Sequence, residues 1–139
     1  MSVTLSKNYY FTLDLGNSVF NFGSDTLKLA FTDTAPTTST HVYADITSPL
    51  ALTNMATSPA LTSVTWTQST GTATLGAATW TGTSQTGNFG PFRYIVVYDD
   101  TSSSKHILGW YDYGSEVTLN GANGDQFTIT FASGILTNA

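Results

Sequence analysis

The chain is predicted to be an all-β protein: a single-domain antiparallel β-sandwich spanning residues 1–139, jelly-roll-like in its connections. Three observations lead there. Short segments alternate apolar and polar residues at the period of a strand, Gly/Asn/Asp turn signals punctuate them, and no window keeps helical apolar spacing for three turns. Thr and Ser also make up roughly 30% of the residues. Threonine is β-branched and favours extended backbone, and its hydroxyl suits a solvated strand face.

Taken in order, Tyr9, Phe11, Leu13 and Leu15 alternate with Tyr10, Thr12 and Asp14, which predicts a strand at an edge or surface. Leu27, Leu29 and Phe31 alternate with Lys28, Ala30 and Thr32 and predict a second one. Gly16-Asn17 and Gly23-Ser24-Asp25 provide the turns between them. Residues 35–59 form a long Pro/Thr/Ser-rich loop around a short strand at Val42–Ile46. The Thr-rich span 61–82, anchored by Val64, Trp66, Leu75 and Trp80, holds strands of weakly specified register. Residues 81–91 read as another loop.

Phe92–Tyr98 is apolar on both parities apart from Arg93, as in a central strand covered on both faces. The polar loop Asp99–Ser104 turns it back into Lys105–Tyr113, forming the best hairpin in the chain. Glu116–Leu119 is expected to pair with Phe127–Phe131 through two Asn-Gly turn signals, with Phe127, Ile129 and Phe131 facing inward.

Composition narrows function. Charged residues make up 9% of the chain, where ordinary soluble domains carry about 25%. Free monomers keep themselves separate with charge, whereas interface cores are depleted in Lys, Glu and Asp. A docked, assembled state follows as an expectation. Net charge is −5, and Lys7, Lys28, Arg93 and Lys105 are scattered, which argues against nucleic acid. With no cysteine, disulfides and thiolate metal sites are excluded. Residues Met1–Lys7 lack the pattern of a secretory leader and no apolar run is long enough to span a bilayer, so synthesis in a cytoplasm and no membrane partner are expected.

Signatures of catalysis are weak. His41 and His106 are the only histidines, and each reads as structural. Asp99 and Asp100, with Asp112 across the hairpin, form the best acidic group, but their spacing matches no calcium loop, so they read as turn formers. No metal, cofactor or catalytic residue is expected. Trp66, Trp80 and Trp110 are able to stack on sugar rings, which keeps a carbohydrate-binding module as an alternative, though alternate-position tryptophans are more often core.

Two stretches carry a family resemblance. One is Phe20-Asn21-Phe22-Gly23-Ser24-Asp25 continuing through Leu27-Lys28-Leu29-Ala30-Phe31-Thr32-Asp33 to Pro36. The other runs from Arg93-Tyr94-Ile95-Val96-Val97-Tyr98-Asp99-Asp100 through Leu108-Gly109-Trp110-Tyr111-Asp112-Tyr113 and Gly124-Asp125-Gln126-Phe127-Thr128-Ile129 to Gly134-Ile135-Leu136. Over about half of the chain it resembles small virion structural proteins of tailed bacteriophages, most closely capsid decoration (cement) proteins. The resemblance implies a non-enzymatic subunit on the capsid surface of a virion, binding the major capsid protein as a homo-oligomer, dimer or trimer. A tail or fibre component is the alternative within the same class. Expected contact regions are the N-terminal arm 1–7, loop 35–59 and tip 81–91, with Val3, Leu5, Tyr43, Leu50, Trp80 and an exposed Phe89 as the interface residues.

Overall fold

A computed structural model describes residues 4–131 and 133–138, so the expected contact residue Val3 lies outside the described residues. The architecture is all-β and antiparallel. Nine strands are described: β1 (Ser6–Lys7), β2 (Leu27–Thr32), β3 (Thr65–Ser69), β4 (Thr72–Gly76), β5 (Trp80–Thr83), β6 (Phe89–Asp99), β7 (Ile107–Leu119), β8 (Gln126–Ile129) and β9 (Leu136–Asn138). They form a four-stranded sheet β1-β7-β6-β2, a three-stranded sheet β3-β4-β9 and a two-stranded sheet β5-β8. Among the described residues helix is confined to α1 (Phe11–Gly16) and two 3-10 turns, Tyr43–Asp45 and Gly121–Asn123. No helix among the described residues is long and apolar enough to cross a membrane.

The β6–β7 hairpin is the spine of the large sheet, with Ile95 opposite Tyr111 and Val97 opposite Gly109. As expected, β6 is central and covered on both faces. Ile95 and Val97 enter the main core, while Val96 and Tyr98 join a smaller cluster with Ala30, Ile46 and Ile107 on the opposite face. Loop residues Ile46 and Tyr43 supply that second cover, which explains why a long polar-looking excursion separates β2 from β3. The main core draws Leu75 and Leu136 from the three-stranded sheet and Trp80, Phe127 and Ile129 from the two-stranded one. The smaller sheets therefore share their apolar interior with the large sheet in a sandwich-like arrangement. Each fully buried Phe or Ile of this cluster contributes about 1.5–3 kcal/mol.

The structure changes several sequence expectations. Residues 11–16 are helical instead of extended, because Phe11 and Asp14, three apart, share the buried side of one turn, while Leu13 is 58% exposed. Asn8 initiates this turn, its Oδ1 accepting from Tyr10 N–H at 2.8 Å. Val42–Ile46 makes one bridge at Val42 and then a 3-10 turn, held by Asp45 Oδ2 accepting from the backbone N–H of both His41 and Val42 at 3.0 Å. The strand β8 pairs with β5, Trp80 facing Ile129, and not with β7. Between β7 and β8 the Asn-Gly repeat folds as a 3-10 turn ending on left-handed Gly124, with Asp125 bonding back to Asn120, so the chain crosses to another sheet instead of reversing. The inward face of Phe127, Ile129 and Phe131 is nonetheless as expected. The tip 81–91 shrinks to 84–88, since 80–83 belongs to β5 and 89–91 to β6.

Candidate functional site

Half of the anticipated contact residues turn out to be core. Leu5 packs over Gly109, where β1 lies so close to β7 that a Cβ would collide with the Ser6 carbonyl. Trp80 is 5% exposed, and its indole N–H donates to Ser58 O at 2.9 Å. Phe89 is 2% exposed and meets Phe31 edge-on at 5.3 Å and Phe92 at 5.7 Å, which corrects its expected exposure. It opens β6 opposite Leu119, and that register turns its ring inward. Tyr43 and Leu50 remain half-buried. The Tyr43 ring packs against Tyr98 at 4.8 Å beneath Lys105, while Leu50 is anchored by its N–H to Phe31 O.

What the surface offers instead is β3. All five of its residues, Thr65-Trp66-Thr67-Gln68-Ser69, are exposed, and it pairs on one side with β4 while ending the three-stranded sheet on the other. Edge strands are normally guarded by Lys, Pro or a bulge, and β3 carries neither charge nor proline. Trp66 lies across Phe22 at 5.0 Å and stays 36% exposed. Tyr9, Leu13 and Tyr113 are the other large apolar side chains open to solvent among the described residues.

The acidic group expected at the β6–β7 hairpin is divided. Asp112 is bound by Arg93 through two bonds of 2.8 and 3.1 Å, which hold its carboxyl below the usual range. Asp100 bridges Lys28 at 2.9 Å and Lys105 at 3.2 Å and is lowered likewise. Asp99 is completely buried. Its Oδ1 accepts from Thr101 N–H at 2.9 Å and Ser102 N–H at 3.2 Å, whereas Oδ2 meets no hydrogen-bond partner among the described residues. Burial, reinforced by the neighbouring Asp25 carboxyl, pushes the Asp99 carboxyl up to about 7. Two carboxyls meeting there are satisfied only when one keeps its proton.

A different cluster assembles from residues far apart in sequence. Asp14 of α1, His41 of the long loop and His106 just before β7 bring one ligand atom each within 4.8 Å of one another. His41 Nε2 lies 2.7 Å from Asp14 Oδ2, and the two imidazoles meet edge-to-face at 5.0 Å. The Tyr10 ring stacks on His41 at 4.1 Å. Backbone bonds fix the two histidines side by side: Val42 bridges His106, and Ile107 N–H donates to His41 O at 2.9 Å. Asn8 ties the adjoining segment to the same loop by donating its side-chain amide to Thr40 O. The intervals between residues 14, 41 and 106 match no ligand spacing, so only the three-dimensional pairing brings them together.

No family model matches the chain, and neither a curated protein nor a solved structure matches it.

Proposed function

We propose that the protein is a non-enzymatic virion structural subunit that binds and stabilises a phage capsid shell as a decoration protein, with the major capsid protein as partner. The observation that carries this reading is β3, a fully exposed edge strand without charge or proline on a chain that is only 9% charged. A protein that lives free in solution pays for such an edge in aggregation. One that docks repeatedly on a symmetric lattice uses it, because many weak contacts add up through multivalency. The resemblance of the segments around β2, β6, β7 and β8 to decoration proteins supports the same reading, as does the all-β sandwich-like architecture, for which a jelly-roll connection is part of the proposal. The contact surface assigned here is the β3 edge with Trp66, alongside the half-buried Tyr43 and Leu50, in place of the buried Leu5, Trp80 and Phe89.

The test is a sedimentation assay on shells lacking the protein, combined with imaging of labelled protein on complete particles. Wild-type protein is expected to co-sediment with shells, and Thr67→Lys, which places a charge on the β3 edge, to stay in the supernatant. Label confined to the tail would overturn the decoration reading in favour of a tail or fibre part. Reproducible glycan-array binding lost in Trp66→Ala would replace it with a carbohydrate-binding module.

A further inference from the structure

We propose that Asp14, His41 and His106 form a binding site for one divalent first-row transition ion, with zinc the best match. The proposal does not depend on the assembly reading above. Two imidazole nitrogens and one carboxylate oxygen are the borderline donors that such ions select, whereas calcium and magnesium require oxygen shells. The single carboxylate gives the donor set a charge of −1, which a bound dication turns to +1.

The supporting bonds point the same way. Ser102 Oγ donates to Asp99 O at 3.1 Å, so its proton is committed. It then acts as acceptor for the His106 backbone N–H at 2.9 Å and for His106 Nδ1 at 3.3 Å. That arrangement puts the ring proton on Nδ1 and leaves the lone pair on Nε2, the tautomer a metal-binding histidine needs when an outer partner orients it. His41 is clamped separately, by the stacked Tyr10 ring on its face and by Asp45 on its backbone N–H. Asp14 is buried, with 4% of its surface exposed, and its carboxylate pairs with His41. When the ion binds, it takes the place of the proton between His41 Nε2 and Asp14 Oδ2, which leaves to solvent or to Nδ1 of the same ring.

A simple His–Asp ion pair would account for Asp14 and His41 alone. It gives no reason for a second imidazole, held in the metal-ready tautomer by Ser102, to converge on the same carboxylate. The competing cation is also directed elsewhere: Lys105, next to His106, reaches Asp100 and the Tyr43 ring. Three protein ligands leave one tetrahedral position open, to be filled by water or by a donor from another molecule.

The experiment uses the tag-free full chain, stripped with a chelator and titrated with Co²⁺ followed by Zn²⁺. One equivalent of Co²⁺ is expected to give the visible absorption of a four-coordinate ion, and Zn²⁺ to displace it. Ser102→Ala should weaken zinc by about 10–100-fold, the usual cost of losing an outer partner. His106→Ala and His41→Ala should weaken it by more than that. Asp14→Asn risks misfolding because the side chain is buried, so the two histidine variants, checked for wild-type circular dichroism, carry the test. Absence of stoichiometric binding at micromolar Zn²⁺, or binding retained in the folded His41→Ala/His106→Ala double variant, overturns the proposal.

Discussion

Replacing Asp99 with Asn should remove a pH dependence built into the loop between β6 and β7. The folded-state carboxyl titrates near 7 against an ordinary value of 3.8, so the native protein holds a proton that the unfolded chain has already released. Stability from this group is fully present below about pH 4 and is lost as pH rises through 7. At about 1.4 kcal/mol for each pH unit separating the two values, the loss is on the order of 4 kcal/mol. The groups facing the carboxyl are Asp25, whose charge opposes ionisation, and the Thr101 and Ser102 amides, which favour it. The neighbouring Asp100 is neutralised by its own ion pairs with Lys28 and Lys105. Asn is isosteric, and its amide can donate to Asp25 at every pH. Urea unfolding followed by tryptophan fluorescence from pH 4.5 to 8.5, with chelator present, should show wild-type stability falling across this range and Asp99→Asn nearly flat. The variant becomes the more stable protein above about pH 7. Wild-type stability that is level or rising from pH 5 to 8, with Asp99→Asn less stable throughout, would refute the reasoning.

Ile129→Asp should abolish folding, since Ile129 is 1% exposed and an unpaired buried charge adds to the roughly 1.5–3 kcal/mol of lost burial; near-wild-type melting would contradict the core assignment. Gly109→Ala should lift β1 from β7, because the new methyl collides with the rigid Ser6 carbonyl, and trypsin should then cut after Lys7 much faster than in the wild type. Unchanged cleavage would show that β1 accommodates it. Under the assembly reading, light scattering at micromolar concentration should give at least a dimer, and a clean monomer counts against it.

Much of the fold was legible because strand period is written locally. The β6–β7 hairpin, the both-faces burial of β6 and the inward set Phe127, Ile129 and Phe131 follow from residues adjacent in sequence. Errors arose where tertiary partners decide. Tyr9–Leu15 alternates like a strand, but seven residues fit either period, and burial of Phe11 and Asp14 on one side selects the helix. The Asn-Gly repeat signals a turn without saying which sheet the chain enters next. Phe89 reads as a loop-tip aromatic because β6 is irregular at its start, where the register shifts between Phe89 and Phe92, and Trp80, an anchor of the Thr-rich span, reads as a contact residue because nothing local shows that β5 turns it onto Ile129. The Asp14–His41–His106 cluster was invisible for the same reason: its members are joined by the Val42–His106 bridge and not by spacing.

The order of strands in the large sheet also governs how the chain reaches its native state. The pairings β3–β4 and β6–β7 close over short loops, whereas β2 must find β6 across about half of the sequence and β1 must find β7 across most of it. Loop-closure entropy disfavours the distant pairings early on, so the two hairpins are expected to form first and folding to run in roughly the millisecond-to-second range typical of non-local β topologies, which stopped-flow refolding would measure. Until β2 arrives, the Leu29, Phe31 and Ile95 surfaces stand open. During that interval the chain is most exposed to misassociation, and mutations in the β6–β7 hairpin should slow folding more than they speed unfolding.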